Sequence, residues 1–240
     1  MPTRSCLANN GRIAVLINAD FNRPVVMAPA QYPWVASPQR GVERVMLDRL
    51  GGESTRATSI VRYAPRSHFP PHRHDGGEEI LVLSGTFSEA DRHYGAGWYL
   101  RNPPGSSHQP SSSTGAIIFV KLRQMTMPED TTVRIDTRDP YQWRQQPDRA
   151  ICPLFEDEYE QVSLHRLKPG KAMFIAPVDG AELLVLAGDM IVDALPYMRG
   201  SWLRLPAGHY PRIVAGARGA TVYSKTGPLG RTAAEDAHHV

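Results

Sequence analysis

One stretch of this sequence is written twice. Glu79-Ile80-Leu81-Val82-Leu83-Ser84-Gly85 returns 103 residues later as Glu182-Leu183-Leu184-Val185-Leu186-Ala187-Gly188. The same offset carries Gly97, Pro103 and Gly105 onto Gly200, Pro206 and Gly208, and Trp98-Tyr99-Leu100-Arg101 onto Ser201-Trp202-Leu203-Arg204. One apolar heptamer can recur by accident, but turn-forming residues that recur at the same offset constrain the chain to two copies of one structural unit. The 240 residues suffice for two units of roughly 100 residues, each large enough to bury a core.

The units read as β. From Val42 onward, β-branched and aromatic runs such as Thr58 to Tyr63, Glu79 to Leu83, Gly97 to Arg101 and Ala116 to Leu122 are punctuated by Gly, Pro, Asn and Ser. The spacing of about eight to twelve residues predicts an all-β chain of antiparallel strands closed into sandwiches or barrels. With 20 Gly and 21 Pro, the chain has too many helix breakers for a bundle. The predicted division is an N-terminal arm over 1–18, a first barrel over 19–128, a second over 129–228 and a polar tail over 229–240.

Charge and cysteine content narrow the partners. A formal charge of +3, with Arg and Lys interspersed among Asp and Glu, offers no basic run for nucleic acid. Cys6 and Cys152 stand alone, without a CxxC pair, so neither a disulfide framework nor a cysteine zinc site is expected. The short apolar run Ala14-Val15-Leu16-Ile17 falls well below a signal-peptide core or a membrane span, so a cytoplasmic protein with no membrane partner is expected. No glycine loop followed by Lys-Ser or Lys-Thr supports ATP-dependent chemistry.

The chemistry is concentrated in the first copy, in the order His72-x-His74-(x)3-Glu78-(x)6-Gly85 and then Gly97-(x)5-Pro103-x-Gly105-(x)2-His108. Residues two apart on a strand share a face, so His72 and His74 point to one centre. Asp75-Gly76-Gly77 lets the chain bend and bring Glu78 to that centre, and His108 arrives from a second hairpin after Pro103-Pro104-Gly105. Three imidazoles and a carboxylate suit Fe(II), Mn(II), Ni(II), Cu(II) or Zn(II), and an octahedral ion so held keeps two positions open.

Both strings resemble the two motifs of the cupin family at every ligand position. The longer run from Val61-Arg62-Tyr63-Ala64-Pro65 through His72 to Glu79 and on to Arg101-Asn102-Pro103-Pro104-Gly105-Ser106-Ser107-His108 resembles the ChrR-like cupin branch, closely over about residues 34 to 125. Two departures stand outside the ligand positions: Arg66 where cupins usually have Gly, and Ser112 where the second motif often ends in Asn. The resemblance implies two tandem double-stranded β-helix barrels, a bicupin. It implies one divalent metal ion per chain, with Fe(II) favoured, Zn(II) next and Mn(II) or Ni(II) possible, and a homodimer. The branch includes small non-haem dioxygenases that cleave carbon-carbon bonds in ketones or diketones, so an oxidoreductase of that kind acting on a small molecule is the leading expectation. A ligand- or stress-sensing module is the alternative, because the family takes its name from an anti-sigma factor, whose zinc-binding domain has no counterpart here. A non-oxidative Zn or Mn isomerase, lyase or hydrolase is a further one.

In the second copy the offset places Ile175, Pro177, Ala181 and Pro211 opposite the four ligands, so that barrel is expected to hold no metal. His209 and His165 read as ordinary structural or surface histidines, and His68 as an exposed loop residue. Glu79, next to Glu78 on a strand, should face the other way and form a salt bridge or strand pair. Tyr63, Tyr99, Arg101 and His93 are the candidates to line the cavity and to orient a carbonyl or move a proton.

Overall fold

The structure, a computed structural model, describes residues 4–9, 12–52, 55–125 and 129–230. It is all-β. Among the described residues, helix is confined to two single turns of 3-10 type, Pro29–Gln31 and Pro140–Gln142. None of the described helices is long and apolar enough to cross a membrane. The strands fall into two compact units, one built from Met1–Ala19 and Pro33–Arg138, the other from Asp20–Tyr32 and Asp139–Gly230. The expected polar tail lies, from Arg231 onward, outside the described residues.

In the first unit the main sheet runs Val42–Leu50, Ala57–Tyr63, Ala116–Leu122, Glu78–Glu89, Trp98–Asn102 and Val133–Asp136 in spatial order. Alternation sets the faces. Ala116, Ile118 and Val120 turn inward and join Val42, Tyr63, Ile80, Val82, Phe87 and Leu100 in one apolar core, while Lys121, between Val120 and Leu122, points the other way. Full burial of a side chain such as Phe87 contributes about 1.5–3 kcal/mol. Within the segment expected as an N-terminal arm, Arg4–Asn9 and Arg12–Ile17 make an antiparallel hairpin whose second strand pairs with Val42–Leu50. Ile17 is buried there, and the Asn18 amide donates to the Leu47 carbonyl at 2.7 Å.

The long strand Glu78–Glu89 carries a β-bulge. Against its neighbour, Val82 pairs with Ile118 but Ser84 pairs with Ile117, leaving Leu83 as the extra residue. Even-numbered residues face inward before the bulge and odd-numbered ones after it, so Ile80 and Val82 share a core with Phe87. Gly85 follows the bulge at φ 69°, where a Cβ would lie 2.0 Å from the Gly115 carbonyl oxygen, so this position requires glycine.

The second unit repeats the plan. Its sheet runs Arg144–Gln145, Arg149–Glu156, Gln161–Leu167, Ile213–Thr226, Ala181–Val192, Trp202–Leu205 and Val25–Met27. The bulge recurs between Val185 and Ala187, followed by Gly188 at φ 69° and 2.0 Å from the Gly219 carbonyl oxygen. Leu167, Met173, Phe174, Leu183, Val185, Leu203, Leu205 and Val222 fill the interior.

The limits of the units depart from the division read off the repeat. Val25–Met27, expected in the first barrel, pairs with Trp202, Leu203 and Arg204 of the second unit. Val133–Asp136, expected in the second barrel, pairs with Trp98–Arg101 of the first. Each unit thus completes the same edge with a strand that the repeat assigns to the other copy.

Candidate metal centre

His72–His74 is a three-residue strand paired with Ser106–His108, with His72 directly opposite His108. Alternation leaves Arg73 exposed between two inward histidines. The chain then bends at Gly76 and at Gly77, which has φ 74°. A Cβ on Gly76 would meet Arg123 at 2.7 Å, and one on Gly77 would meet Met125 at 2.2 Å, so both glycines are required for the turn that delivers Glu78.

The sequence-predicted ligands His72, His74, Glu78 and His108 converge. The three imidazole rings lie 4.7 to 4.9 Å apart between centroids. His74 Nε2 is 2.8 Å from His108 Nε2, and Glu78 Oε2 is 3.5 Å from the former and 3.4 Å from the latter. Donors bound at about 2.1 Å to one ion stand about 3.0 Å apart at an octahedral edge and about 3.4 Å at a tetrahedral one, so this spacing fits a single small cation. Two of the imidazoles are also oriented for it. His72 Nδ1 lies 3.0 Å from the Pro70 carbonyl and His108 Nδ1 lies 2.5 Å from Glu89 Oε1. Donation through Nδ1–H leaves the lone pair of each Nε2 facing the centre.

Glu89 is the residue that sequence reading missed. It is buried and accepts from Arg134 Nη2 at 3.1 Å and from Asn102 Nδ2 at 3.4 Å. Asn102 also donates to Glu78 Oε2 at 3.1 Å, and its own carbonyl accepts from Arg134 Nη2 at 2.6 Å. One hydrogen-bonded network therefore supports both Glu78 and His108.

Burial holds His72 and His74 below the ordinary histidine range. Burial acts in the same direction on His108, but the hydrogen bond to Glu89 and the charges of Glu78 and Glu89 outweigh it and raise that residue. Burial would raise Glu89, yet its bond to His108 and the charges of His108 and Arg134 bring it below the usual carboxylate range.

His72, His74 and Glu78 open onto a cavity of about 560 Å³ in the first unit, lined by Val42, Val61, Phe69, Ile118, Val120 and Leu122 among others. Of the four further candidates, Tyr63 lines this cavity, edge-on to Phe69 and Phe87. Burial, followed by the negative charges of Glu78 and Glu89, pushes its phenol far above the usual range. The other three face elsewhere. Tyr99 and Arg101 alternate with the core residue Leu100, so they take the opposite face of the strand. Arg101 pairs there with Glu79 at 3.1 Å and with Glu129 at 2.6 Å. His93 is exposed, with Nδ1 at 2.9 Å from the Ser88 hydroxyl.

The second unit differs at the corresponding place. Ile175, opposite His72 in the repeat, is 88% exposed, and the segment around it forms only isolated bridges, Ala172 to Val214 and Val178 to Gly208. The strand that would carry two ligands is missing along with the ligands. Among the described residues, groups of three potential metal donors occur only in the first unit.

A repeated antiparallel barrel, with His72, His74 and His108 grouped in one copy and Glu78 beside His74 and His108, has the two-barrel cupin fold. Residues 22–126 match the family described as the ChrR cupin-like domain. No curated protein matches the chain significantly. A Nostoc punctiforme protein called a dioxygenase superposes with a TM-score of 0.72 at 15% identity, over 88% of this chain and 85% of its own. The Escherichia coli pirin YhhW, solved with nickel(II), gives 0.61 at 11% identity over 86% of this chain and 99% of its own. A cupin 2 conserved barrel protein from Leptotrichia buccalis gives 0.56 at 12% identity, covering 80% and 92%. At such identities the likeness establishes the fold alone, and the cluster of donors is what points to a divalent metal.

Proposed function

We propose that this chain is a mononuclear non-haem metal oxidoreductase of the dioxygenase kind, acting on a small ketone or diketone, with His72, His74, Glu78 and His108 as the metal ligands. The observation that carries this reading is the grouping of His72, His74 and His108, with Glu78 against His74 and His108, beside a cavity sized for a small molecule. Iron(II) is the favoured ion, ahead of zinc, manganese and nickel. A bound divalent ion supplies Lewis acidity toward a carbonyl oxygen and, if it is iron, a route for electrons to dioxygen.

The chain's own residues do the rest. Val61, Phe69, Ile118 and Val120 seat the hydrocarbon part of the substrate and exclude water from the centre. Tyr63, kept protonated by its surroundings, donates a hydrogen bond to a substrate oxygen. Glu89 fixes the His108 tautomer, and Arg134 and Asn102 fix Glu89.

The test is elemental analysis of untagged protein purified without oxygen, coupled to oxygen uptake with a panel of diketones and hydroxyketones. About one iron per chain with substrate-dependent uptake is expected. Zinc or manganese with no uptake would overturn the oxidoreductase reading in favour of a sensor or a non-oxidative enzyme. His72→Ala combined with His108→Ala should abolish metal retention, whereas His209→Ala, at an exposed residue of the second unit, should leave it intact. Undiminished metal in the double variant would remove the ligand assignment.

A further inference from the structure

The cavity beside the histidines is large for the simplest of these diketones. At about 560 Å³ it falls among sites that enclose ligands of drug size, several times the volume of a five-carbon diketone. Sheet register shows how that room is arranged. Ile118, Val120 and Leu122 are successive inward residues of Ala116–Leu122, and all three line the cavity. Leu122 stands opposite Glu78 on one neighbouring strand, and Ile118 stands opposite Val61 on the other. An aliphatic strip therefore starts in the row of Glu78 and leads away from it.

The strip is long and narrow. Ile118 and Leu122 are four residues apart on one strand, a distance of about 13 Å that matches an extended hydrocarbon of about ten carbons. Val42, one row beyond Ile118, extends the apolar surface. Polar residues border it: Ser59 opposite Val120, Arg44 opposite Val61, and Glu78 opposite Leu122. Arg44 and Arg49, which also line the cavity, are each engaged by other groups of the chain. An apolar surface one or two strands wide between polar borders suits a flexible chain better than a broad ring system.

Resting on the metal-site reading above, we propose that the substrate bears an unbranched aliphatic chain, its ketone or diketone head at the histidine centre and its chain along Leu122, Val120 and Ile118. Apolar burial is non-directional and proportional to area, so such a strip grades ligands by length. Each methylene laid on it leaves water until the strip ends.

Calorimetric binding of 2,4-pentanedione, 2,4-octanedione and 2,4-undecanedione, on both metal-loaded and metal-free protein, tests this. Each added methylene should tighten binding about threefold, so the longest should bind at least about a hundredfold more tightly than the shortest. 1-Phenyl-1,3-butanedione, with a ring in place of a six-carbon chain, should bind less tightly than 2,4-decanedione. Val120→Phe, which fills the strip at its middle, should level the series. Equal affinity along the wild-type series, a ring preferred to the chain, binding of none of the diketones, or a length dependence that survives Val120→Phe would overturn the proposal. The wild-type comparison requires no variant to fold. Loss of the metal-site reading shows separately, as absence of retained metal, while the dependence on chain length is still read on the metal-free protein.

Discussion

Arg66 is the one departure from the usual cupin pattern that shows its effect in backbone geometry. It adopts left-handed backbone at φ 61°, a conformation that glycine enters freely and that costs a residue bearing a Cβ about 1–2 kcal/mol. Arg66→Gly should therefore raise stability by about 1 kcal/mol, read as a higher midpoint in urea. The other departure is neutral for a visible reason, since the Ser112 hydroxyl donates to the Thr86 carbonyl at 2.6 Å. His165 belongs to the same scale. Burial, then the charge of Arg149, lowers it to about 4 from an ordinary 6.5. Below pH 6.5 the unfolded chain takes up a proton that the folded chain refuses until about pH 4, so stability falls as pH drops through that window. The loss amounts to up to about 3 kcal/mol. His165→Gln should flatten this part of the pH–stability curve in denaturant titrations, and an unchanged slope would show that the imidazole is not the cause.

At the scale of the element, the bulge at Leu83 decides which carboxylates reach the metal centre. Glu78 and Glu89 are separated by an odd number of positions, which on a regular strand puts them on opposite faces. The extra residue reverses the parity and brings both inward. Glu89→Gln keeps the shape but removes the charge that orients His108, and should weaken metal retention by about 10–100-fold, measured by competition with a chelator. The convergence of His72, His74, Glu78 and His108 was legible in the sequence because their spacing uses only the two-residue period of a strand and the freedom of Gly-Gly. Glu89 was not, because a bulge leaves no local signature beyond the glycine after it. Arg134 lies on a strand that the repeat offset counts with the second copy but that pairs with Trp98–Arg101, and the alternation that turns Arg101 away from the cavity turns Asn102 toward Glu78.

For the molecule as a whole, the repeat revealed two barrels but not which strands close them. An offset between copies reports similarity, whereas edge pairing depends on where the chain travels. Val26 packs against the core of the second unit, although it precedes every residue of the first repeat. Val26→Asp should destabilise the second unit by about 3 kcal/mol and release hydrogen-exchange protection along Trp202–Leu205, while metal retention in the first unit persists. Loss of metal with protection intact would contradict the pairing.

The exchanged strands also impose a timetable on synthesis. As the chain leaves the ribosome, the first barrel lacks its last edge strand until Val133–Asp136 emerges, only a short stretch after Ala116–Leu122. Val25–Met27, made before the first repeat, has no partner until Trp202–Leu205 of the second copy appears. The first barrel can thus mature while translation continues, and the strand it leaves unpaired stays available for the later, long-range closure that completes its sister.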